Sequence, residues 1–235
     1  MKTKGIFFFL IIFLITGLSS GKEFKGCYEG KYLFFKIVKN CVDFSYKNDE
    51  YYFFSDVRSI GIGKVFKDIH YYGFSLSNSD NPFYFEFIQN EKELISKQYL
   101  FFTPKNIIFQ KLKPNVNIIK LYSNDNKYLD VFLASLKFYE KIPEQKKGKI
   151  KLFFNGKKYT VPYKYIKEEK IKTDAGKFKT YKVYVYPEIQ GESLLKTKGK
   201  WIVWIDKKTK FPVKIYSSFI FGTIRLELIN YSFND

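Results

Sequence analysis

The sequence predicts a mainly β protein, in which one curved antiparallel sheet of about 11–14 strands forms a half-barrel or barrel. Three observations support this prediction. Apolar and polar residues alternate in many short runs, clusters of turn residues separate the runs, and only one segment, near residues 127–140, has helical spacing. Hydrophobic residues make up 46% of the 235-residue chain and aromatic residues 21%, which excludes a disordered chain and allows a sizeable core.

The N-terminal half is predicted to be a meander of short strands. A cluster of turn residues, Ser77–Pro82, is typical of the connections between these runs. The predicted strands are Tyr32–Val38, Tyr51–Ser55, His70–Ser77, Phe83–Gln89, Gln98–Thr103, Asn106–Leu112 and Val116–Tyr122.

The segment 127–140 is predicted to be a helix because its apolar residues fall on one helical face and no turn residue interrupts it. Asn126 is a candidate cap at its start, and Pro143 would stop it. The residues at helical spacing are Leu129, Phe132, Leu133, Leu136 and Tyr139.

The C-terminal half is predicted to be a series of hairpins. The strongest turn signal is Asn155-Gly156, between runs 149–155 and 157–163. Asp174-Ala175-Gly176 separates runs 165–173 and 177–186. A further hairpin joins 201–206 to 211–217, and run 223–231 closes the chain.

The first twenty residues are predicted to be a Sec-type signal peptide. Lys2 and Lys4 precede an uncharged apolar run, Ile6–Leu18, and small residues follow it. As a helix this run spans only about 20 Å, whereas a bilayer core needs about 30 Å. We therefore expect an exported, periplasmic protein with a single β-rich domain over residues 21–235; an uncleaved anchor is the alternative. Cys27 lies too far from the apolar run for a lipoprotein.

Cys27 and Cys41 are the only cysteines. Export to an oxidising compartment predicts that they form a disulfide, and two free buried thiols are the alternative. Closing a loop of about 15 residues stabilises a fold by roughly 3 kcal/mol.

The formal net charge is +18, and all but two of the 41 basic residues are lysines; the exceptions are Arg58 and Arg225. Nucleic-acid binders usually concentrate their cations on one face and use arginine forks. Here lysine is interleaved with Phe and Tyr along the chain, which predicts a solvated lysine face and no nucleic-acid partner. Such a face attracts anionic membrane surfaces.

The sequence offers little catalytic chemistry. His70 is the only histidine and lies in a strand-like context, and there is no G-x-S-x-G elbow. Gly61-Ile62-Gly63 lacks the rest of a dinucleotide loop. We therefore expect no catalytic residues, no metal site, no cofactor and no enzyme activity. A glycan-active enzyme using carboxylates such as Asp130 and Asp206 is the weakest alternative.

Four motifs between residues 127 and 231 resemble a family of exported bacterial proteins known as domain of unknown function 3108. Asp130–Ala134 resembles its D-x-x-S-A helix start, with Leu133 in place of the serine. Thr173–Phe178 with Val183 resembles its T-x-x-G-x-F…V hairpin. The other two matches are Trp204–Asp206 with Phe211–Ile215, and Gly222–Ile224 with Leu228.

Each motif residue also has an expected structural role. Trp204 is expected in the core, Asp206 is expected to cap the turn before Lys207, and Gly176 is expected to supply a positive φ. Pro212 is expected at an edge-strand position, where no ladder hydrogen bond is lost. Asp130, Phe178 and Gly222 complete the family-motif set.

The last hairpin is also similar to that of the lipoprotein carriers LolA and LolB and of the sensor RseB. That resemblance implies a curved half-barrel with an apolar cavity for acyl chains. We expect a non-catalytic envelope protein that binds an apolar ligand, such as a lipid or a lipoprotein acyl chain. The expected lining is Phe132, Leu136, Trp201 and Trp204, with at most one of the two tryptophans facing the cavity because they are three apart. The alternative is a structural or protein-interaction module with a filled core. The oligomeric state is left open.

Overall fold

A computed structural model describes residues 23–91, 94–125, 127–187, 199–219 and 222–234. The predicted signal peptide and the predicted cap Asn126 lie outside the described residues. No helix in the described ranges is both long and apolar enough to cross a membrane.

The described residues form fourteen strands and two helices. The N-terminal strands are β1 (Glu23–Tyr32), β2 (Phe35–Lys47), β3 (Glu50–Ser59), β4 (His70–Asn78), β5 (Pro82–Glu91), β6 (Leu94–Phe102), β7 (Asn106–Lys113) and β8 (Val116–Ser123). The C-terminal strands are β9 (Lys147–Phe154), β10 (Lys157–Thr173), β11 (Gly176–Val185), β12 (Trp201–Asp206), β13 (Pro212–Phe219) and β14 (Gly222–Asn234). The helices are α1 (Ile62–Phe66) and α2 (Val131–Glu140).

All fourteen strands belong to one open antiparallel sheet, which confirms the predicted fold class. The order is β8-β7-β6-β5-β4-β3-β2-β1-β14-β13-β12-β11-β10-β9. The sheet therefore consists of two meanders that meet where β1 pairs with β14, and strands close in sequence are neighbours in space. The segment between β8 and β9, which includes α2, connects the two edges of the sheet.

The sheet curls so that its inner face packs against itself. Phe154 on β9 lies 6.3 Å, between ring centroids, from Phe85 on β5. Phe153, also on β9, lies 4.9 Å from the ring of Tyr122 on β8. Apolar side chains of both meanders and of α2 thus form one core, and the alternating sequence pattern follows from one buried and one solvated face.

Helix α2 begins later than the sequence predicts. The spacing predicts a start near residue 127, but the helix starts at Val131, with Asp130 as its N-cap. Leu129 instead forms a parallel bridge with Leu152 at the edge of β9. Its apolar side chain matches the helical spacing although its backbone pairs with a strand.

The position of Pro212 also differs from the prediction. Strand β13 lies between β12 and β14, inside the sheet. Pro212 is the first residue of β13 and pairs with Ile205 beside a register shift. An interior strand accommodates proline there because the ladder is irregular at a bulge.

Candidate functional site

The side chains predicted to line an acyl-chain cavity are packed. Phe132, Leu136 and Trp201 are each 0% exposed. The ring of Phe132 stacks on that of Phe53 with centroids 5.6 Å apart and approaches Phe85 at 5.7 Å. In this conformation these side chains fill the space that an apolar ligand would need.

Trp204 lies on the opposite face of β12 from Trp201. It pairs with Lys182, whose ammonium lies 5.0 Å from the centroid of the indole ring. The indole N–H donates a hydrogen bond to a carboxylate oxygen of Glu169. Burial raises the pKa of Glu169, but this bond and the neighbouring lysines outweigh it and lower the pKa overall. The four residues predicted to line a cavity, Phe132, Leu136, Trp201 and Trp204, do not line the surface grooves near Cys27, His70, Lys137 and Lys170.

Asp130 begins the first family motif and caps α2. Its Oδ1 accepts hydrogen bonds from the backbone N–H groups of Phe132 (2.8 Å) and Leu133 (3.2 Å). The residue is fully buried. Burial raises the pKa of Asp130 to about 6, although the helix N–H groups and the Ser75 hydroxyl oppose this shift. Its place in the fold is that of a buried helix cap.

The other motif residues shape hairpins. Oδ2 of Asp206 accepts hydrogen bonds from the backbone N–H and the hydroxyl of Thr209, both at 2.9 Å. Asp206 therefore holds the β12–β13 turn, as its position predicts. Gly176 has φ +136° at the β10–β11 turn. Phe178 is buried against the ring of Tyr231, at 5.8 Å.

The remaining two motif positions hold strands together. The carbonyl of Pro212 accepts a hydrogen bond of 3.0 Å from the Tyr28 hydroxyl. Gly222 has φ +135°, and a Cβ there would lie 2.9 Å from the Tyr32 ring. Contacts of this kind maintain the fold, and they bring no reactive groups together.

A disulfide joins Cys27 and Cys41, which face each other across β1 and β2. It crosslinks the middle of the hairpin whose turn is Leu33-Phe34, because the β1–β2 pairing continues beyond it to Glu23 and Ser45. Such a bond fits an extracytoplasmic location.

His70 belongs to a polar cluster on the outer face of the sheet. One ring nitrogen lies 3.1 Å from an Asp56 carboxylate oxygen, and the other lies 3.1 Å from the Tyr72 hydroxyl. Arg58 donates two hydrogen bonds to the same carboxylate, of 2.9 and 2.6 Å. Burial raises the pKa of Asp56, but the charges and hydrogen bonds of Arg58 and His70 lower it overall. The cluster pairs charges across β3 and β4, and no group of three or more His, Cys, Asp or Glu in the described ranges could hold a metal ion.

Sequence reasoning missed an exposed group of large apolar side chains at one end of the sheet. Their exposed fractions are Leu33 62%, Phe34 91%, Phe35 52%, Val65 82% and Phe66 79%. We call these five residues the apolar tip.

The two segments of the apolar tip are held side by side. Leu33 and Phe34 form the two-residue turn between β1 and β2, because Tyr32 pairs with Phe35. Helix α1 packs on the start of β2: a Cβ at Gly63 would lie 2.0 Å from the Ile37 carbonyl oxygen, so only glycine allows this approach. The buried side of α1 faces β2, and Val65 and Phe66 project into solvent.

Lysines and carboxylates surround the apolar tip. The ammonium of Lys36 lies 2.8 Å from a Glu29 carboxylate oxygen, and that of Lys31 lies 3.5 Å from the other. Lys67 pairs with Glu91 at 2.9 Å. The hydrogen bond and the charge of Glu29 raise the pKa of Lys36. The tip is therefore apolar at its end and ionic around its base.

Comparisons with known proteins agree with the motifs found in the sequence. No curated protein matches the chain. A solved structure from Bacteroides fragilis with a YmcC-like fold is similar over 93% of this chain and 99% of its own, with 10% identity and a TM-score of 0.35. The family profile described as "Protein of unknown function (DUF3108)" matches residues 27–229, nearly the whole described range. The chain therefore belongs to the DUF3108 family.

Proposed function

We propose that this protein is a non-catalytic, extracytoplasmic protein of the cell envelope that attaches to a membrane surface through the apolar tip. The observation that carries the proposal is the exposure of Phe34, Val65 and Phe66, each about four-fifths or more open to solvent. Exposed apolar side chains are common singly, but several of them gathered at one end of the sheet are typical of an interaction site.

The backbone of the turn supports a functional role. Leu33 has φ +54°, in the left-handed region. Two-residue hairpin turns usually place Asn or Gly there, because a left-handed conformation costs other residues about 1–2 kcal/mol. The chain thus keeps an exposed leucine where a polar or small residue would stabilise the fold. Such a residue is typical of a site under functional constraint.

The size and position of the apolar tip fit shallow insertion into a lipid interface. Aromatic and aliphatic side chains on a protruding turn and a short helix can enter the boundary between headgroups and acyl chains. The Cys27–Cys41 disulfide crosslinks the two strands that carry this turn. Lipid is also the apolar ligand that the sequence predicts, but the proposed contact is on the surface.

Charge contributes a second, weaker attraction. Glu29 and Glu91 partly neutralise the lysines at the base of the apolar tip. The net charge of +18 over the whole chain still attracts an anionic surface at long range. We therefore expect apolar insertion to dominate binding, and salt to weaken it only in part.

An interior lipid site has less support. Phe132, Leu136 and Trp201 would have to leave their packed positions to admit an acyl chain. Moving several large buried side chains costs several kcal/mol. The described geometry thus favours an external contact.

The direct test is co-sedimentation of the mature protein with vesicles of phosphatidylglycerol and phosphatidylethanolamine. The double variant Phe34→Ser/Phe66→Ser should lose binding at least tenfold, because it removes two large exposed rings (about 1.4 kcal/mol per tenfold). The matched control is Ile119→Ser/Leu121→Ser, which removes two side chains that are 63% and 66% exposed at a different place.

The control variant should bind vesicles like the unchanged protein. Equal vesicle binding by the tip variant and the unchanged protein would contradict the proposal. Lipid that stays bound through purification without detergent and is released on extraction would favour an interior site.

A further inference from the structure

The two edge strands of the sheet, β9 and β8, differ in whether other parts of the chain bond to their outward backbone groups. At the β9 edge, the backbone N–H of Phe153 donates a 2.8 Å hydrogen bond to the carbonyl of Leu129, and the N–H of Leu129 donates to Lys151 at 3.3 Å. The chain itself covers this edge. At the other edge, β8 pairs with β7 alone in the described sheet.

Strand β8 is long and regular for an exposed edge. Its eight residues pair with β7 without a register shift. Natural edges are usually protected by a bulge, a proline or inward charges. Strand β8 has no bulge and no proline, and Lys120 is its only charged residue. Its outward backbone groups can therefore pair with another strand.

On the outer face of the sheet, a row of apolar side chains crosses β6 and β7 and ends at the β8 edge. Phe101 on β6 pairs with Ile108 on β7, which pairs with Leu121 on β8. These side chains are 44%, 37% and 66% exposed. Ile119, two residues from Leu121 on the same face, is 63% exposed. An added strand would extend this row by placing its own apolar side chains beside Ile119 and Leu121.

Charge selects the kind of strand. Residues 94–123, which include β6, β7 and β8, contain five lysines and no Asp or Glu. Lys120 lies between Ile119 and Leu121 and points to the other face, because it pairs with Phe109, whose ring is in the core. A residue opposite Lys120 would be favoured if it were acidic.

We propose that the β8 edge binds an extended segment of a partner protein in which an acidic residue stands between two apolar ones. The segment adds as an antiparallel strand: its backbone bonds to the free edge, its apolar residues cover Ile119 and Leu121, and its carboxylate pairs with Lys120. A bilayer core cannot satisfy the backbone groups of an edge. A second copy of this chain would bring two acid-free, lysine-bearing edges together.

The test is an NMR titration of the 15N-labelled protein with the capped peptide Thr-Thr-Val-Glu-Val-Thr-Thr. We expect the largest shifts in β7 and β8, with slower amide hydrogen exchange in β8. Two control peptides separate the contributions. One replaces the glutamate with lysine, and the other carries N-methyl groups that remove the backbone donors.

The variant Lys120→Glu should reverse the charge preference. The ratio of the affinity for the glutamate peptide to that for the lysine peptide should fall about fivefold or more. The reason is that the residue at position 120 would then repel the glutamate of the peptide and attract the lysine. Lys36→Glu, at the apolar tip, should leave this ratio unchanged. A defect in folding would weaken both peptides equally and would not reverse the preference.

Three outcomes would overturn the proposal: no shifts in β8 with any peptide, equal binding of the N-methylated peptide, or self-association of the protein that the peptide disrupts. The last outcome would identify a second copy as the occupant of the edge. The proposal is independent of membrane attachment, because Phe34→Ser/Phe66→Ser should bind the peptide normally.

Discussion

The inner face of the sheet and the apolar tip contain the same kinds of side chain but use them in opposite ways. Phe132 is 0% exposed and packs between Phe53 and Phe85, whereas Phe34 is 91% exposed at a turn. Apolar composition therefore does not locate a binding surface in this protein. The place of each residue in the sheet decides whether it stabilises the fold or remains available to a partner.

Removing a ring from the core and removing a ring from the apolar tip should change the free energy of unfolding by very different amounts. Phe132→Ala should lower the free energy of unfolding by about 3–5 kcal/mol, because it leaves a cavity in the core. Phe34→Ala should change it by less than about 0.5 kcal/mol. Urea unfolding of both variants checks this contrast, and similar losses in both would show that Phe34 is packed in solution.

The disulfide connects the hairpin of the apolar tip to the stability of the whole fold. The variant Cys27→Ser/Cys41→Ser should lose about 3 kcal/mol, since the bond closes a loop with a sequence separation of 14. Denaturant unfolding with and without reductant measures this effect. Reductant should destabilise the unchanged protein and leave the serine variant unaffected; an unchanged midpoint for both would mean that the bond does not form.

The buried cap of α2 should make stability depend on pH. Since burial raises the pKa of Asp130 in the folded state to about 6 from a usual value of 3.8, the folded protein holds this proton more tightly than the unfolded chain. Protonated Asp130 therefore contributes to the free energy of unfolding fully below about pH 4. This contribution, roughly 3 kcal/mol in total, is lost as the pH rises to about 6.

Asp130→Asn keeps a capping side chain and removes this titration. The stability of the variant relative to the unchanged protein should therefore increase between pH 4 and pH 7, as measured by unfolding at both values. A constant difference across this range would mean that Asp130 is not buried as described.

A substitution in the turn of the apolar tip should change the free energy of unfolding only modestly. Leu33→Asn should raise the free energy of unfolding by about 1 kcal/mol, because asparagine tolerates the left-handed conformation. The same variant should bind vesicles less well, since it removes an apolar side chain. A gain in stability without a loss of vesicle binding would remove Leu33 from the proposed contact.

Much of the fold could be predicted from the sequence, because local patterns decide it. Asn155-Gly156 predicts a hairpin turn, and both residues have positive φ between β9 and β10. The alternating runs predict most of the other strands. Runs 157–163 and 165–173 are one strand, β10, which pairs with β9 along its first half and with β11 along its second.

The first strand was not predictable by the same rules. The sequence predicts one strand over Tyr32–Val38, but Leu33-Phe34 is a turn, and β1 lies before it. Nothing in the residue types indicates this turn, because leucine and phenylalanine favour strands and cores. For the same reason the sequence does not predict the apolar tip, since Leu33 and Phe34 are exposed because they form the turn. Leucine and phenylalanine indicate an exposed apolar surface here only once the pairing of β1 and β2 shows that they form a turn.

On a membrane, the apolar tip should enter the lipid interface while the β8 edge stays in water. An environment-sensitive NBD fluorophore, attached in turn at Phe34→Cys and at Leu121→Cys with the Cys27–Cys41 disulfide intact, distinguishes the two positions. On addition of phosphatidylglycerol vesicles, emission at position 34 should shift to shorter wavelength and be quenched by nitroxide-labelled acyl chains, and emission at position 121 should do neither. Unchanged emission at position 34, or an equal response at both positions, would contradict membrane attachment through the apolar tip.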